Sequence, residues 1–229
     1  MAAGILVVDD EPEIADLVTV YLRGEGFRVY PCGTGTEALE ILRREEIDLA
    51  VLDVMLPDIS GMTLCAEIRR THQFPILMLT AKSEDTDKIT VLTVGADDYM
   101  TKPFSPLEMV ARVKAQLRRY TSYNGGEKED EDTLTIGGLT INRTTHQCWL
   151  YEELLSLTPI EFDILWLLCA NRGKVISAEE LFESVWGEKY LDRNNTVMVH
   201  IRRLREKLGE PSRSPRFIKT VWGVGYKVE

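Results

Sequence analysis

Apolar residues in the first 120 positions fall into short runs about 20–27 residues apart, at 5–8, 27–30, 49–52, 76–79 and, more weakly, 99–100. Between them the spacing becomes helical. Ile14, Leu17, Val18, Tyr21 and Leu22 lie on one face of a helix that ends near Gly24 or Gly26. Thr34 with Glu37 makes a capping-box pair that opens a second helix, with Ala38, Leu39 and Leu42 inward. Pro106 opens the last one, which runs through Leu107, Val110 and Leu117 to Tyr120. Uninterrupted apolar strands alternating with helices predict an α/β fold, a doubly wound five-stranded parallel sheet.

Beyond position 133 the pattern changes. Residues 134–136, 139–141 and 147–151 alternate apolar with polar, as short antiparallel strands do. Thr158, Pro159 and Glu161 supply an N-cap, a proline at N1 and a capping box, opening a helix that is apolar nearly all round and therefore central. Ser177 with Glu180 opens another helix, through Leu181, Phe182, Val185 and Trp186, which Gly187 stops. A third spans 196–208, its buried stripe formed by Val197, Ile201, Leu204 and Leu208. Val199, Arg202 and Arg203 fall opposite that stripe at 100° per residue, with Thr196, His200 and Lys207 on one shoulder. Residues 217–228 read as two β-runs around a Gly-rich turn, a hairpin or wing. The expected fold of this half is a winged helix-turn-helix, α+β in class.

Charge separates the two halves. Residues 1–120 hold 20 acids and 13 bases, a net of −7, whereas residues 193–229 hold nine bases and three acids, a net of +6. That contrast suggests two jobs on one chain, the second involving a polyanion. Residues 121–133 carry five acids, one base and a Gly-Gly pair with no apolar periodicity, and read as an acidic flexible linker. The expected domains are therefore 1–120 and 134–229. No apolar run approaches the ~20 residues of a transmembrane helix, and the N-terminus lacks the basic n-region of a signal peptide. Cys32, Cys65, Cys148 and Cys169 have neither C-x-x-C spacing nor disulfide-scaffold density, which suits reduced thiols in a cytoplasmic protein without structural zinc.

In a parallel sheet the site lies outside the carboxyl ends of the strands. Asp9 and Asp10 end the first strand, Asp53 the third and Thr80 the fourth, and Lys102 follows the fifth. Three carboxylates in one crevice need a cation, and an oxygen-only set selects a hard one, most simply Mg²⁺. A lysine and a threonine beside it complete the parts for stabilising a phosphoryl group in transfer. Asp53, directly after the central strand, is the best-placed nucleophile. A haloacid-dehalogenase-type phosphatase also uses a strand-end Asp with Mg²⁺, but needs a second Asp two residues later, where this chain has Met55. No P-loop motif is present. The chain is therefore expected not to be an enzyme, beyond assisting its own phosphoryl transfer and dephosphorylation.

The set Val8-Asp9-Asp10-Glu11, Leu52-Asp53-Val54-Met55-Leu56-Pro57, Leu79-Thr80-Ala81-Lys82, Gly95-Ala96-Asp97-Asp98-Tyr99 and Thr101-Lys102-Pro103-Phe104 resembles the receiver domain of two-component response regulators. The resemblance implies phosphorylation of Asp53 by a sensor histidine kinase. It implies Mg²⁺ held by Asp10, Asp53 and the carbonyl of Met55, with Asp9 acting through water, and a cis bond between Lys102 and Pro103. Thr80 and Tyr99 would be the switch pair. Dimerisation would use the helix over 84–95, the strand at 99–100 and the helix from Pro106. The cross-subunit ion pairs would be Lys88 with Glu108, Asp98 with Arg112, and Asp97 with Arg119.

Residues 134–229 resemble the winged-helix effector domain of the OmpR/PhoB family, through Leu157-Thr158-Pro159-Ile160-Glu161-Phe162, Val199-His200-Ile201-Arg202-Arg203-Leu204-Arg205 and Gly223-Val224-Gly225-Tyr226. By that likeness the helix over 196–208 enters the major groove. Met198, Val199 and Arg203 would face base edges, Trp186, Thr196, His200 and Arg202 would meet phosphate, and Asn195, Thr220 and Trp222 would lie at the DNA. Two positions depart from the pattern. Trp222 stands where some members carry a minor-groove Arg, and Asn195 where a phosphate-binding Arg can occur. Several phrases, among them residues 47–57, 111–120 and 219–226, are further similar to the vancomycin-resistance (VanR) regulators of Gram-positive bacteria. The implied function is transcriptional regulation. Promoter DNA with repeated half-sites, RNA polymerase and a second copy of the chain would be partners, and membranes would not. The alternatives are a different regulon (cell-envelope or nutrient stress) or a phosphorylation-dependent protein adaptor.

Overall fold

The structure is a computed structural model that describes residues 2–81, 90, 92–122, 132–187, 196–211 and 214–229. The chain divides into two compact units, residues 1–120 and 121–229.

The first unit runs β1 (Gly4–Val8), α1 (Pro12–Gly24), β2 (Arg28–Cys32), α2 (Gly35–Arg44), β3 (Leu49–Asp53), α3 (Gly61–Arg69), β4 (Ile76–Thr80), β5 (Asp98–Thr101) and α4 (Pro106–Ser122). All five strands pair in parallel, in the order β2-β1-β3-β4-β5. Because β1, β3 and β4 are covered on both faces, every residue in them is buried, which is why they read as unbroken apolar runs. Alternate residues (Ile5, Val7, Leu49, Val51, Leu77, Leu79) share a core with Val18 and Leu22 of α1 and with Met109 and Val113 of α4. Thr34 caps α2 as its sequence implies, accepting from the Glu37 amide at 3.2 Å, but the Glu37 carboxylate turns to the Gly33 amide instead of closing the box. The helix expected over 84–95 falls mostly outside the described residues, as does Lys88.

The second unit runs β6 (Thr133–Ile136), β7 (Leu139–Asn142), β8 (Gln147–Leu150), β9 (Glu153–Leu155), α5 (Pro159–Ala170), α6 (Ala178–Trp186), α7 (Thr196–Lys207), β10 (Ile218–Val221) and β11 (Gly225–Val228). The first four strands form an antiparallel sheet, one strand more than the alternation suggested, because β9 is only three residues long. The last two form a hairpin, and Ile176 adds a bridge to Tyr226. Helix α5 is central. Ile160, Phe162, Ile164, Leu165 and Leu168 are buried in one core with Leu181, Val197, Ile201, Leu204 and Ile218. α4 reaches Ser122 and β6 begins at Thr133, so regular structure extends by one or two residues into both ends of the segment expected to be linker. No helix among the described residues is long and apolar enough to cross a membrane.

A carboxylate pocket and a helix–hairpin surface as candidate functional sites

The strand order reverses between β2-β1 and β1-β3, so the chain leaves β1 and β3 on opposite sides and opens a crevice at their carboxyl ends. Asp9 and Asp10 follow β1 there, and Asp53 ends β3. Each offers one oxygen, and the three oxygens lie within 4.8 Å of one another. Asp9 and Asp53 are buried and Asp10 is exposed. Lys102, just after β5, reaches across to Asp9 and Asp53 of this cluster and to Glu11. Its Nζ lies 2.8 Å from Asp9 Oδ2, 3.0 Å from Asp53 Oδ2 and 3.0 Å from Glu11 Oε1. Thr80 is buried at the end of β4, its carbonyl accepting from the Lys102 amide at 2.7 Å. The bond between Lys102 and Pro103 is cis. Tyr99 is half-buried in β5.

Burial pushes the Asp9 carboxyl above its ordinary value, against the pull of Lys102 and of the Glu11 amide. Burial works to lower Lys102, but its bonds to Asp9, Asp53 and Glu11 outweigh this and hold it charged above the usual lysine range. One ammonium thus faces the carboxylates of Asp9, Asp53 and Glu11, with Asp10 beside them. An all-oxygen donor set with surplus negative charge and one exposed member fits a hard divalent cation such as Mg²⁺. Gly61 shapes the same wall. A Cβ there would come 1.8 Å from the Asp53 carbonyl oxygen, so only glycine lets α3 start this close to β3. The intervening loop is clamped as well. Asp58 accepts from the Gly35 amide (2.9 Å), the Thr36 amide (2.8 Å) and the Thr36 hydroxyl (2.7 Å), which hold its carboxyl far below the usual range.

Asp97, Asp98, Glu108 and Arg112, expected on the dimer face, have partners within the chain. Asp97 is fully buried, paired with Arg69 at 2.5 Å and accepting from the Ile76 amide at 2.9 Å. Arg69 also donates to the carbonyls of Gly95 and Phe74, stapling α3 to the starts of β4 and β5. Asp98 and Arg112 pair at 2.9 Å within the chain, and Glu108 joins Arg112 at 3.0 Å, one turn earlier on α4. The side chain of Arg119 lies outside the described residues.

In the second unit α7 presents fewer residues than its helical wheel implied. Met198 and Arg202 are exposed, Arg202 pairing with Glu206 at 3.0 Å one turn on. Thr196, Val199, His200 and Arg203 are buried, and so is Trp186. Trp186 stacks on Phe182 (ring centroids 4.9 Å apart) and tilts against His200 (5.5 Å), so both rings belong to the packing between α6 and α7. Arg203 turns inward because α5 buries a carboxylate. Glu161, the capping-box residue, has no exposed surface, and receives Arg203 Nη2 at 3.0 Å, Lys207 Nζ at 2.7 Å and the Thr158 amide at 2.9 Å. Burial alone would raise this carboxyl, but Arg203 and Lys207 hold it below its ordinary value. The wheel was anchored on apolar residues and could not register a buried anion on a neighbouring helix. On the hairpin, Thr220 is half-buried and its hydroxyl accepts from Arg205 of α7 at 2.8 Å, while Trp222 is 90% exposed. Asn195 lies outside the described residues.

A sheet of order 2-1-3-4-5 with a lysine-bridged carboxylate pocket, followed by a winged helix, defines a phosphoacceptor module joined to a DNA-binding module. Residues 5–114 match the response regulator receiver domain and residues 152–228 the C-terminal domain of transcriptional regulatory proteins. The chain belongs to the response regulators of OmpR/PhoB type. Over its whole length it is 56% identical to regulatory protein VanR of Enterococcus faecium and 60% identical to regulatory protein VanRc of Enterococcus gallinarum, in each case covering all of the relative. Among solved structures it is similar to a RitR mutant (TM-score 0.77, 30% identity, 100% of this chain and 99% of that one). It is also similar to DrrB, an OmpR/PhoB homologue from Thermotoga maritima (TM-score 0.53, 36% identity, the same coverage).

Proposed function

We propose that Asp53 is the phosphoacceptor of this regulator and that its phosphorylation by a sensor histidine kinase controls DNA binding. The convergence of Asp9, Asp10 and Asp53, with Lys102 paired to Asp9 and Asp53, carries this reading. The Asp53 carboxylate attacks phosphorus, the bond to the donor nitrogen breaks, and an acyl phosphate results. Lys102, already charged in the pocket, pairs with a phosphoryl oxygen, and the Thr80 hydroxyl donates to another. Mg²⁺, held by Asp9, Asp10, Asp53 and the Met55 carbonyl, would supply charge neutralisation at the transferring group. The switch then passes through Thr80 and Tyr99. Functionally the chain divides into residues 1–120 as receiver, 121–133 as linker and 134–229 as effector, working in the cytoplasm.

Phosphorylation leads to dimerisation through the face that carries β5 and α4, where Asp98 and Glu108 exchange their in-chain pairs with Arg112 for pairs with Arg112 and Lys88 of a second copy. Two linked effectors then occupy two promoter half-sites through effective concentration, without new base contacts, and act on RNA polymerase. The resemblance to VanR and VanRc over the full chain supports glycopeptide (vancomycin) resistance genes as the regulon.

Sedimentation of the wild type and of Asp53→Ala, each with Mg²⁺ and beryllofluoride as a phosphoryl stand-in, tests the switch. Dimerisation of the wild type alone is the expected result, and equal dimerisation of both would show that Asp53 is not the control point. Genome-wide binding of the activated wild type then tests the regulon.

A further inference from the structure

The loop that leads the chain away from Asp53 is tied at its base and near its far end, with little between. At the base the Val54 amide donates to the Leu79 carbonyl (3.0 Å), and the Gly61 amide returns to the Val54 carbonyl (2.9 Å). Met55, Leu56 and Pro57 have no hydrogen bond to another described residue, and Met55 is 65% exposed. Neither regular structure nor burial of Met55 fixes that stretch. Asp58 does. Its carboxylate crosses to the first turn of α2, taking the Gly35 amide on Oδ1 and the Thr36 amide and hydroxyl on Oδ2. Ile59 follows it in and fills the space a side chain at Gly35 would need, since a Cβ there would come 2.4 Å from Ile59 Cγ1. A helix leaves its first amides without partners, and a local cap serves only part of them. In α2 the local cap, Thr34, takes the Glu37 amide at 3.2 Å, and its carbonyl takes the Ala38 amide at 3.1 Å. The Gly35 and Thr36 amides are left to a carboxylate 23 and 22 residues further on. That carboxylate also meets the positive end of the helix dipole.

We infer that Asp58 is a positioning residue for the divalent-cation site. By clamping the loop that carries the Met55 carbonyl, it couples cation binding in the carboxylate pocket to the order of the first turn of α2. The inference rests on the reading of Asp9, Asp10, Asp53 and the Met55 carbonyl as that cation site. Asp58 is not a member of the carboxylate cluster, so it acts through the loop. A main-chain carbonyl has no side-chain rotamer to lock, and its orientation has to come from the segment that carries it. Groups that hold a metal ligand in place without touching the metal are worth about 10–100-fold in metal affinity. Linkage makes the coupling reciprocal. Whatever the cation gains from an ordered loop, the loop and the α2 amides bound to it gain from the cation.

Calorimetric titration of the full chain with MgCl₂ tests this. Asp58 is exposed, so Asp58→Ala should fold as the wild type does, which circular dichroism checks. It should bind Mg²⁺ about tenfold more weakly. Thr34→Ala removes the local cap of the same helix but leaves the clamp, and should bind Mg²⁺ as the wild type does. In labelling by acetyl phosphate, Asp58→Ala should need more Mg²⁺ for half-maximal rate while keeping its rate at saturating Mg²⁺. Hydrogen exchange over residues 33–38 should slow when Mg²⁺ is added to the wild type, and should not respond in Asp58→Ala. If the wild type binds no Mg²⁺, the cation reading fails and the positioning role with it. The cation reading stands and the positioning role alone is overturned if the wild type binds Mg²⁺ and any of three results follows. These are equal binding by Asp58→Ala, an equal loss in Thr34→Ala, or wild-type exchange over 33–38 that ignores the cation.

Discussion

Glu161 sits with no exposed surface between α5 and α7, its carboxylate shared by Arg203, Lys207 and the Thr158 amide. Glu161→Gln keeps the shape and can still accept from the Thr158 amide, but it removes the charge that two cations face. The Arg203 side chain is only 10% exposed and cannot turn to water without unpacking, whereas Lys207 is 30% exposed and keeps its bond to the Ser156 carbonyl. Breaking a buried pair costs about 3–5 kcal/mol. The partial escape of Lys207 places the expected loss at about 3 kcal/mol, within that range. Because the folded-state carboxyl lies below its unfolded value, its contribution is complete above the unfolded pKa of 4.5 and is lost as pH falls through the folded value. The gap between wild type and variant should therefore narrow in acid. All four tryptophans (Trp149, Trp166, Trp186 and Trp222) lie in the second unit, so tryptophan fluorescence during urea unfolding of the full chain reports on that unit alone. With m of about 1–3 kcal/mol per M, the midpoint should fall by roughly 1–3 M. Arg203→Met combined with Glu161→Gln should cost less than the two single changes added together. A loss below about 0.5 kcal/mol, the level of an ordinary surface change, or a gap that does not narrow in acid would refute the assignment.

Other parts of the molecule give shorter tests. Asp97→Ala strips Arg69 of its buried partner and should destabilise the receiver by about 3–5 kcal/mol, followed by far-ultraviolet circular dichroism. A dimerisation defect without that loss would return Asp97 to the surface. Asp9→Asn should raise the melting temperature of the Mg²⁺-free protein at pH 7. The fold disfavours the ionised Asp9 carboxyl, so its contribution to stability declines as pH rises from 3.8 through the folded value. The same variant should lose most of the extra melting temperature that Mg²⁺ confers on the wild type, as calorimetry would show. Gly61→Ala drives a methyl group into the Asp53 carbonyl and should cost at least about 1–3 kcal/mol. Phosphorylation by acetyl phosphate, read on a phosphate-affinity gel, should fall with it.

The doubly wound sheet was legible because burial on both faces leaves an unbroken apolar signature at regular spacing, and the strand-end rule then located Asp9, Asp10, Asp53, Thr80 and Lys102 without further help. The caps Thr34, Thr158 and Ser177 were legible because capping is local, involving a side chain and an amide three residues on. What stayed hidden is non-local. Nothing near Asp58 announces that it binds the amides of Gly35 and Thr36 more than twenty residues earlier. Arg69 reads as a helix-end cation until β5 delivers Asp97 to it. Glu11 reads as the start of α1, yet it adds a third carboxylate around Lys102. Glu161 reads as a cap and is one, but its second role as counter-ion for α7 depends on a helix that begins 35 residues later.

That second role changes how Arg203 contributes to sequence recognition. A bidentate arginine–guanine contact discriminates by about 1–3 kcal/mol, whereas abandoning a buried carboxylate costs about 3–5 kcal/mol. An Arg203 that left Glu161 for a base would weaken the complex on balance. A guanidinium has five donors, and Glu161 is reached from Nη2, so a base contact is favourable only when it uses the remaining donors while the pair stays intact. Glu161 then acts as the fixed support that aims Arg203, and Glu161→Gln should relax discrimination at one base position in addition to lowering stability. Arg202 is the contrasting case. Its side chain is 72% exposed and paired only along its own helix with Glu206 among the described residues, so Arg202→Ala should reduce the salt slope by about one and leave the unfolding midpoint unchanged. A selection experiment with the two variants on one random pool separates them. If Glu161→Gln selects the wild-type sequence with undiminished preference at every position, Arg203 does not read a base from its seat on Glu161.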